Sequence, residues 1–506
     1  MPHFTIDARR LRRPLLGSAL ALALALVPAL QAQNDERTPQ QQQAYRQAME
    51  KADLAIQSEV KQHSELMQNL EYLTTQIGPR LTGSPQMQEA SRWTLKRFQD
   101  YGLDAHLETT TVPHAWYRGH DTAAIVAPIQ RAIPVRSLGW SKATPGAVTG
   151  RVVVLTAGSG AAPDAAELRG AIVLAGPPAT IPPDFPPPDN AYDAVIPPPH
   201  GVPQNEGNRY ARRRQQMQTI VQSGAAAILL DSGKEDNLFN MGSFSAYQPS
   251  ALPLAFLTHE DYDLIYRLAK TQPVTMKLDL AGTFSAGPEP ASITVAEIKG
   301  SEWPEQRVIV GGHLDSWDLG QGAVDNGTGA MSTLEAARAL HALGWKPKRT
   351  ITFVLFTGEE EGGVGARLFV NNHAAEIPQM DGVLIDDTGT GKVFSIALEN
   401  LWKTAPLMTE IYRPLQEVFD LRPLSTRYFG ASDHVEFLEA GVPAYFCVQK
   451  PAHYRQAHHS QADTFDLVIP DQVNEGAALL AAWAWNVSEM PAPLPHHAAR
   501  STRGEF

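Results

Sequence analysis

Between Ile293 and Asp387, short apolar runs alternate with stretches of helical period. The runs are ITVAEI, RVIVGGH, TITFVLFT and GVLIDD, with helices expected over 328–343 and 363–374. Helices between apolar strands predict an α/β domain with a mainly parallel mixed sheet and helices on both faces. Upstream, Ser64 to Tyr101 has helical spacing, broken by the turn-rich stretch GPRLTGSP at Gly78–Pro85. Residues 34–60 are polar and rich in Gln, and read as frayed or helical.

The texture changes between about 115 and 290. Short β-like runs (151–158, 171–176 and 226–230) flank a proline-rich stretch from Pro177 to Pro203 and an expected helix over Asn205–Ser223. A smaller β-rich domain inserted into the α/β domain accounts for this. The α/β domain then comprises 34–114 and 291–490, the insert 115–290, and 491–506 a flexible tail. No internal repeat is visible.

Residues 1–33 read as a secretory leader. Arg9, Arg10, Arg12 and Arg13 precede the apolar run Leu15–Leu30, with small residues near Ala32. The run falls short of the roughly 20 residues a membrane span needs, and Pro28 breaks its end. A secreted or periplasmic protein, free of the membrane once the leader is removed, is therefore expected. Its loss takes four Arg and one Asp from 42 basic and 54 acidic residues, leaving a formal charge of −15. That charge argues against nucleic acid and anionic membranes as partners. Cys447 is the only cysteine, so no intramolecular disulfide can form. Within VPAYFCV it reads as a buried, inert thiol.

Candidate chemistry collects where strands end, the place where open α/β sheets bind ligands. His313 and Asp315 follow VIVGG, and Asp325 sits in the Gly-rich turn GAVDNGTG. Glu359, Glu360 and Glu361 follow TFVLFT, Asp386 and Asp387 end GVLIDD, and His458 and His459 lie in AHHSQADT. Each has an ordinary explanation alone: a hydrogen-bonded His–Asp pair, a helix cap, glutamates at a helix start, solvated loop residues. Together, a set made only of imidazoles and carboxylates is what a pair of divalent cations requires. Two metals about 3.5–4 Å apart need a bridging carboxylate, with a His and a carboxylate to complete each ion. Asp325 is the natural bridge, His313 and Asp387 serve one metal, and Glu360 and His459 the other. Asp315 is placed to accept the other N–H of His313. Glu359 is left as general base for the water between the ions. A one-residue slip within the EEE run, and Asp386 in place of Asp387, stay open.

Other catalytic patterns fail. TGTGKV at 388–393 lacks the first Gly and the Ser/Thr of a phosphate loop, and GGVGAR lacks the last Gly of a dinucleotide fingerprint. Neither a G-x-S-x-G elbow nor an H-E-x-x-H helix is present.

The runs GGHLDSWDLGQGAVDNGTGA, FTGEEEGGVGA, IDDTGTG and HHSQADT resemble the co-catalytic di-zinc aminopeptidase and carboxypeptidase family. Within it, HLDSWDLGQGA and EEEGGVGA look most like a secreted, dipeptidase-like branch. The resemblance extends upstream to IGPRLTGSPQ and VPHAWYRGHD, nearly the whole mature chain. It implies a zinc-peptidase fold interrupted by a protease-associated insert, and two Zn2+ per chain, with Co2+ or Mn2+ as substitutes. It implies ligands at His313, Asp325, Glu360, Asp387 and His459, Glu359 as base, Asp315 in support, and a cis peptide at Asp325–Asn326. It places GASDHVEFLEAGVP, with Asp433 and His434, in a wall of the substrate site; surface positions for those two are equally open. Short unblocked peptides are the expected substrates. A related amidohydrolase or aminoacyl cyclase, or a non-catalytic receptor-like relative, are the alternatives. A homodimer stays open.

Overall fold

Burial explains the sequence of the main sheet. The computed structural model describes residues 38–155, 165–181 and 220–499. The expected leader lies outside the described residues, as do most of the proline-rich stretch and, except for 220–223, the expected helix over 205–223. The main strands are β1 (Asp104–Val112), β2 (Glu289–Ile298), β3 (Trp303–His313), β4 (Arg349–Phe356), β5 (Met380–Ile385), β6 (Val393–Ala397) and β7 (Ala444–Gln449). Their order across the sheet is β1-β2-β4-β3-β5-β7-β6. The four central strands β4, β3, β5 and β7 run parallel. β1, β2 and β6 are antiparallel to their neighbours, so the sheet is parallel at its centre and mixed at its margins. β4 is buried at every position, which a strand covered on both faces requires. β1 alternates in exposure and sits at an edge.

Helices α1 (Pro39–His63), α2 (Pro85–Asp100), α3 (Thr328–Ala342), α4 (Val364–Asn372), α5 (His434–Ala440), α6 (Tyr454–Ala457) and α7 (Pro470–Ser488) dress this sheet. Adjacent residues of β2 show the two faces. Thr294 meets Thr94 of α2 at 2.9 Å, whereas Ile293 lies against Gly365 of α4. Two starts are written locally. Thr38 and Gln41 form a capping box ahead of α1, and Ser84 caps α2, with a proline opening each helix. The C-terminal segment departs from the expected flexible tail over at least 491–499. Leu494 is buried in the core and the His497 N–H donates to Gly441 O at 3.1 Å, because the segment covers the ends of β5 and α5.

A second, eight-stranded sheet is built wholly from residues between Thr122 and Asp279. The runs near 151, 171 and 226 become the parallel strands Val148–Val154, Ile172–Leu174 and Ala227–Asp231. The chain leaves the main sheet after Val112 and returns at Glu289, partners in its last pair. A two-stranded ribbon of Trp116–Tyr117 and Thr283–Phe284 forms the neck.

One core carboxylate carries a pH test. Asp53 of α1 is fully buried and accepts from Asn486 Nδ2 of α7 at 3.2 Å, while its other oxygen has no partner. Burial, resisted by the Asn486 hydrogen bond and helped by Glu50, pushes it up to about 8. The folded value lies above the unfolded one of 3.8, so the fold favours the protonated acid. That stabilisation is full below about pH 4 and is lost as pH rises through 8. Calorimetric melting at pH 6 and pH 9 should show Asp53→Asn losing at least about 2 °C less than the wild type over this interval. Equal losses would refute the assignment.

Candidate metal centre

Parallel strands bring their carboxyl ends to one edge of the sheet, and the candidate residues gather there. His313 is the last residue of β3; Glu359 and Asp387 follow β4 and β5 by three and two residues. Between β3 and α3 the turn Ala323–Gly327 carries Asp325, whose backbone (φ −120, ψ 97) leaves helical geometry, and the Asp325–Asn326 peptide is cis. The segment after α6 supplies His458 and His459.

Two groups of possible metal donors form, and both contain Asp325. His313, Asp325 and Asp387 make one; Asp325, His458 and His459 make the other. In the first, His313 Nε2 lies 3.1 Å from Asp387 Oδ1 and 3.5 Å from Asp325 Oδ1. In the second, His459 Nε2 lies 3.7 Å from Asp325 Oδ2; Glu360, outside both groups, brings Oε2 to 2.8 Å from the same nitrogen. The opposite ring nitrogens are engaged: His313 Nδ1 donates to the Asp315 carbonyl at 3.0 Å and His459 Nδ1 to the Met241 carbonyl at 3.1 Å. Both Nε2 atoms are thereby turned towards the carboxylates, the orientation a metal ligand needs. His458 stacks on His459 with centroids 3.7 Å apart. Asp325 Oδ2 and Glu360 Oε1 are buried with no hydrogen-bond partner. Acceptors orphaned in this way, beside imidazole nitrogens, fit divalent cations.

The electrostatics point the same way. Burial, partly offset by His313 and reinforced by Asp387, Asp315 and Asp325, pushes Glu359 up to about 8. Burial and neighbouring carboxylates likewise raise Glu360, Glu361 and Asp433 well above the usual range. Burial would lower His313, but Asp387, Asp315 and Asp325 overcome it and raise that imidazole well above its ordinary value. Asp325 is held low, because its hydrogen bond to His313 and the nearby His458 and His459 outweigh burial. Burial and then His458 bring His459 down to about 3, keeping it neutral. Like charges packed this closely need a cation among them.

The individual placements refine the sequence reading. Within the EEE run, Glu360 faces His459 and Glu361 faces Tyr247 (3.2 Å), while the Glu359 carboxylate has no side-chain hydrogen bond among the described residues. Asp387 joins the donor group; Asp386 does not, although its carbonyl anchors Asn326 at 2.8 Å. Asp315 meets His313 in two ways: its main-chain carbonyl takes the His313 N–H at 3.0 Å, and its carboxylate Oδ1 lies 3.6 Å from the same nitrogen. The carboxylate also reaches the β4 loop, where it meets the N–H groups of Glu359 and Glu360 at 3.4 Å each. Asp433 and His434 are buried rather than on the surface, and both oxygens of Asp433 lack partners.

Several functional neighbours escaped the sequence reading. Asp463 accepts from the N–H groups of Val324 (2.6 Å) and Asp325 (3.2 Å), holding the turn that bears Asp325. Arg80, fully buried, donates to the carbonyls of Gly78, Leu314, Gln321 and Gly322 and ties the turn to the end of β3. Trp317 Nε1 donates to Glu360 Oε2 at 2.7 Å. An arginine inside a turn-rich stretch and an aspartate four residues after a paired histidine were the available signals.

The profile of peptidase family M28 matches residues 294–484. The chain is 32% identical to carboxypeptidase Q of Mus musculus, covering 86% of this chain and 88% of that one. In structure it is similar to a peptidase M28 precursor of Shewanella amazonensis, with a TM-score of 0.74 and 25% identity over 89% of this chain and 99% of that one. It also shares the fold of a zinc aminopeptidase of Bacillus subtilis, with a TM-score of 0.60 and 19% identity over 83% of this chain and 93% of that one.

Metal uptake should release protons. His313 and Glu359 hold protons near pH 7 in the metal-free chain, and a cation displaces them. Calorimetric zinc titration in buffers of different ionisation enthalpy should report net proton release, and affinity should weaken as pH falls from 8 to 6. No buffer dependence would contradict this. Metal analysis should find Asp325→Ala deficient in both ions, His459→Ala in one.

Proposed function

The chain belongs to peptidase family M28, and from that premise we propose that it is an exported di-zinc exopeptidase acting on dipeptides and other short unblocked peptides. The observation that carries the reading is the sharing of Asp325 by two donor groups beside a carboxylate, Glu359, that no side chain hydrogen-bonds among the described residues. Asp325 would bridge the ions, with His313 and Asp387 holding one and Glu360 and His459 the other. His459 is favoured over His458 because its Nδ1–H is committed to Met241 and its Nε2 faces Glu360.

Zinc bound there would acidify a water and polarise the scissile carbonyl. Glu359 supplies the proton traffic. Its place at the end of β4, next to the donor groups and without a side-chain hydrogen bond among the described residues, suits a group that accepts a proton from water and passes it to the departing amine. Asp315 assists by orienting His313 through its carbonyl and the base loop through its carboxylate.

Size selection falls to the insert. Its segment from Lys234 to Tyr247 lies along the 455–461 loop. Lys234 Nζ donates to Arg455 O at 2.7 Å, the Phe239 N–H to Gln461 Oε1 at 2.9 Å, and the Met241 N–H to His459 O at 2.8 Å. A wall so close to the ligand histidine favours short chains with free termini. Residues 1–33 would direct export, and no described helix is long and apolar enough to cross a membrane.

Glu359→Gln should retain both ions while turnover of an unblocked dipeptide falls at least about a hundredfold. Glu360→Gln should instead weaken one ion. Exchange of these behaviours would reassign the base. Acetylating the peptide N-terminus should sharply reduce hydrolysis, and intact casein should be cut little; rapid internal cleavage of a long blocked peptide would defeat the exopeptidase reading.

A further inference from the structure

Glu361, the last glutamate of the run, has no part in the reaction above, yet its carboxylate is turned inward and Oε1 is buried without a partner. Its other oxygen accepts from the Tyr247 hydroxyl at 3.2 Å. Tyr247 belongs to the insert, and several observations show that this contact is built. The residue holds a left-handed backbone (φ +63), unusual for a bulky aromatic, so the surrounding loop dictates where its ring goes. The ring meets Trp140 edge-on, with centroids 5.2 Å apart. On the other side, a Cβ on Gly358 would come within 2.6 Å of the Tyr247 hydroxyl and 2.2 Å of Val364, so only glycine lets the base loop approach this closely.

The contact continues towards the base. Thr82 lies beside both Glu361 and Tyr247, close enough to bear on the proton affinity of each. Thr82 Oγ1 also reaches Asp315 Oδ2 at 3.5 Å, and Asp315 in turn faces the N–H groups of Glu359 and Glu360. A polar network therefore runs from the insert to the backbone of the base. The loop needs such a tether. Gly358, Gly362 and Gly363 bracket the three glutamates, all with positive φ, and offer little stiffness of their own. The three carboxylates between them also repel one another.

We infer that Tyr247 is a positioning residue for the peptidase reaction, its hydroxyl holding Glu361 so that the loop presents Glu359 correctly. The inference rests on the proposed peptidase function and adds that the insert completes the catalytic apparatus as well as walling it. A reacting group displaced by about 1 Å can cost up to a hundredfold in rate, so loss of one hydrogen bond here is measurable.

The test is Tyr247→Phe in the full, zinc-loaded chain, which keeps the ring against Trp140 and removes only the hydroxyl. For an unblocked dipeptide, kcat should fall about tenfold or more, while KM, bound zinc and Tm stay at wild-type values. Glu361→Met should fall similarly, and the double variant should be no slower than either single one. Glu361→Gln, which keeps an acceptor, should recover most of the rate. Hydrogen–deuterium exchange of the peptide spanning 357–364 should quicken in Tyr247→Phe and not elsewhere, a readout independent of turnover. Unchanged kcat overturns the inference whatever the exchange shows, as does a kcat lost in step with zinc or Tm. Should the wild type cleave no short peptide, the peptidase reading fails by itself; local exchange then decides the tether, faster exchange upholding it and unchanged exchange removing it.

Discussion

Buried negative charge is the constraint on which this structure depends. Asp325, Glu359, Glu360, Asp387 and Asp433 converge with three imidazoles, and no arginine or lysine side chain forms an ion pair with any of them among the described residues. Carboxylates so placed hold protons or hold cations, because a low-dielectric interior penalises unpaired charge by several kcal/mol per ion. The raised proton affinity of His313 is one expression of that demand, and the donor set matches the other.

Such a cluster persists only in a rigid frame. Parallel central strands supply it, since their carboxyl ends are brought level without help from the residues placed there. Buried polar side chains then brace the turns between them through the backbone. Asp463 holds the turn that bears Asp325, and Arg80 spends its guanidinium on four backbone carbonyls rather than on a carboxylate. Burial brings Arg80 down to about 10, so it stays charged at neutral pH and adds a fixed positive field behind the acidic floor.

The insert is part of the same frame. Arg118 pairs with Asp318 through its Nε at 2.6 Å, and Trp317 joins a cluster with Trp116, Trp140 and Met241. The residue that hydrogen-bonds Glu360 is thus packed against the insert. A domain that only covered the site would have no need of these contacts. Here the covering element and the ligand loops share one core.

Much of this was legible from residues alone. The period-3.6 and apolar runs between Ile293 and Asp387 determine strands and crossovers, and burial on both faces made the central strands conspicuous. The imidazoles and carboxylates at strand ends could be named because crossover topology sends those ends to one edge. A change of texture near 115 and 290 marked off the segment that builds the second sheet. Tertiary structure decided the rest, for reasons of distance and direction. Which oxygen of Asp315 lies nearest to His313 depends on a side-chain rotation that spacing does not encode. Asp433 reads as a loop residue, yet packing buries it. The contribution of Met241, Tyr247, Arg80 and Asp463 comes from contacts between residues far apart in the chain. Local sequence sets what a residue can do; the fold sets what it stands beside.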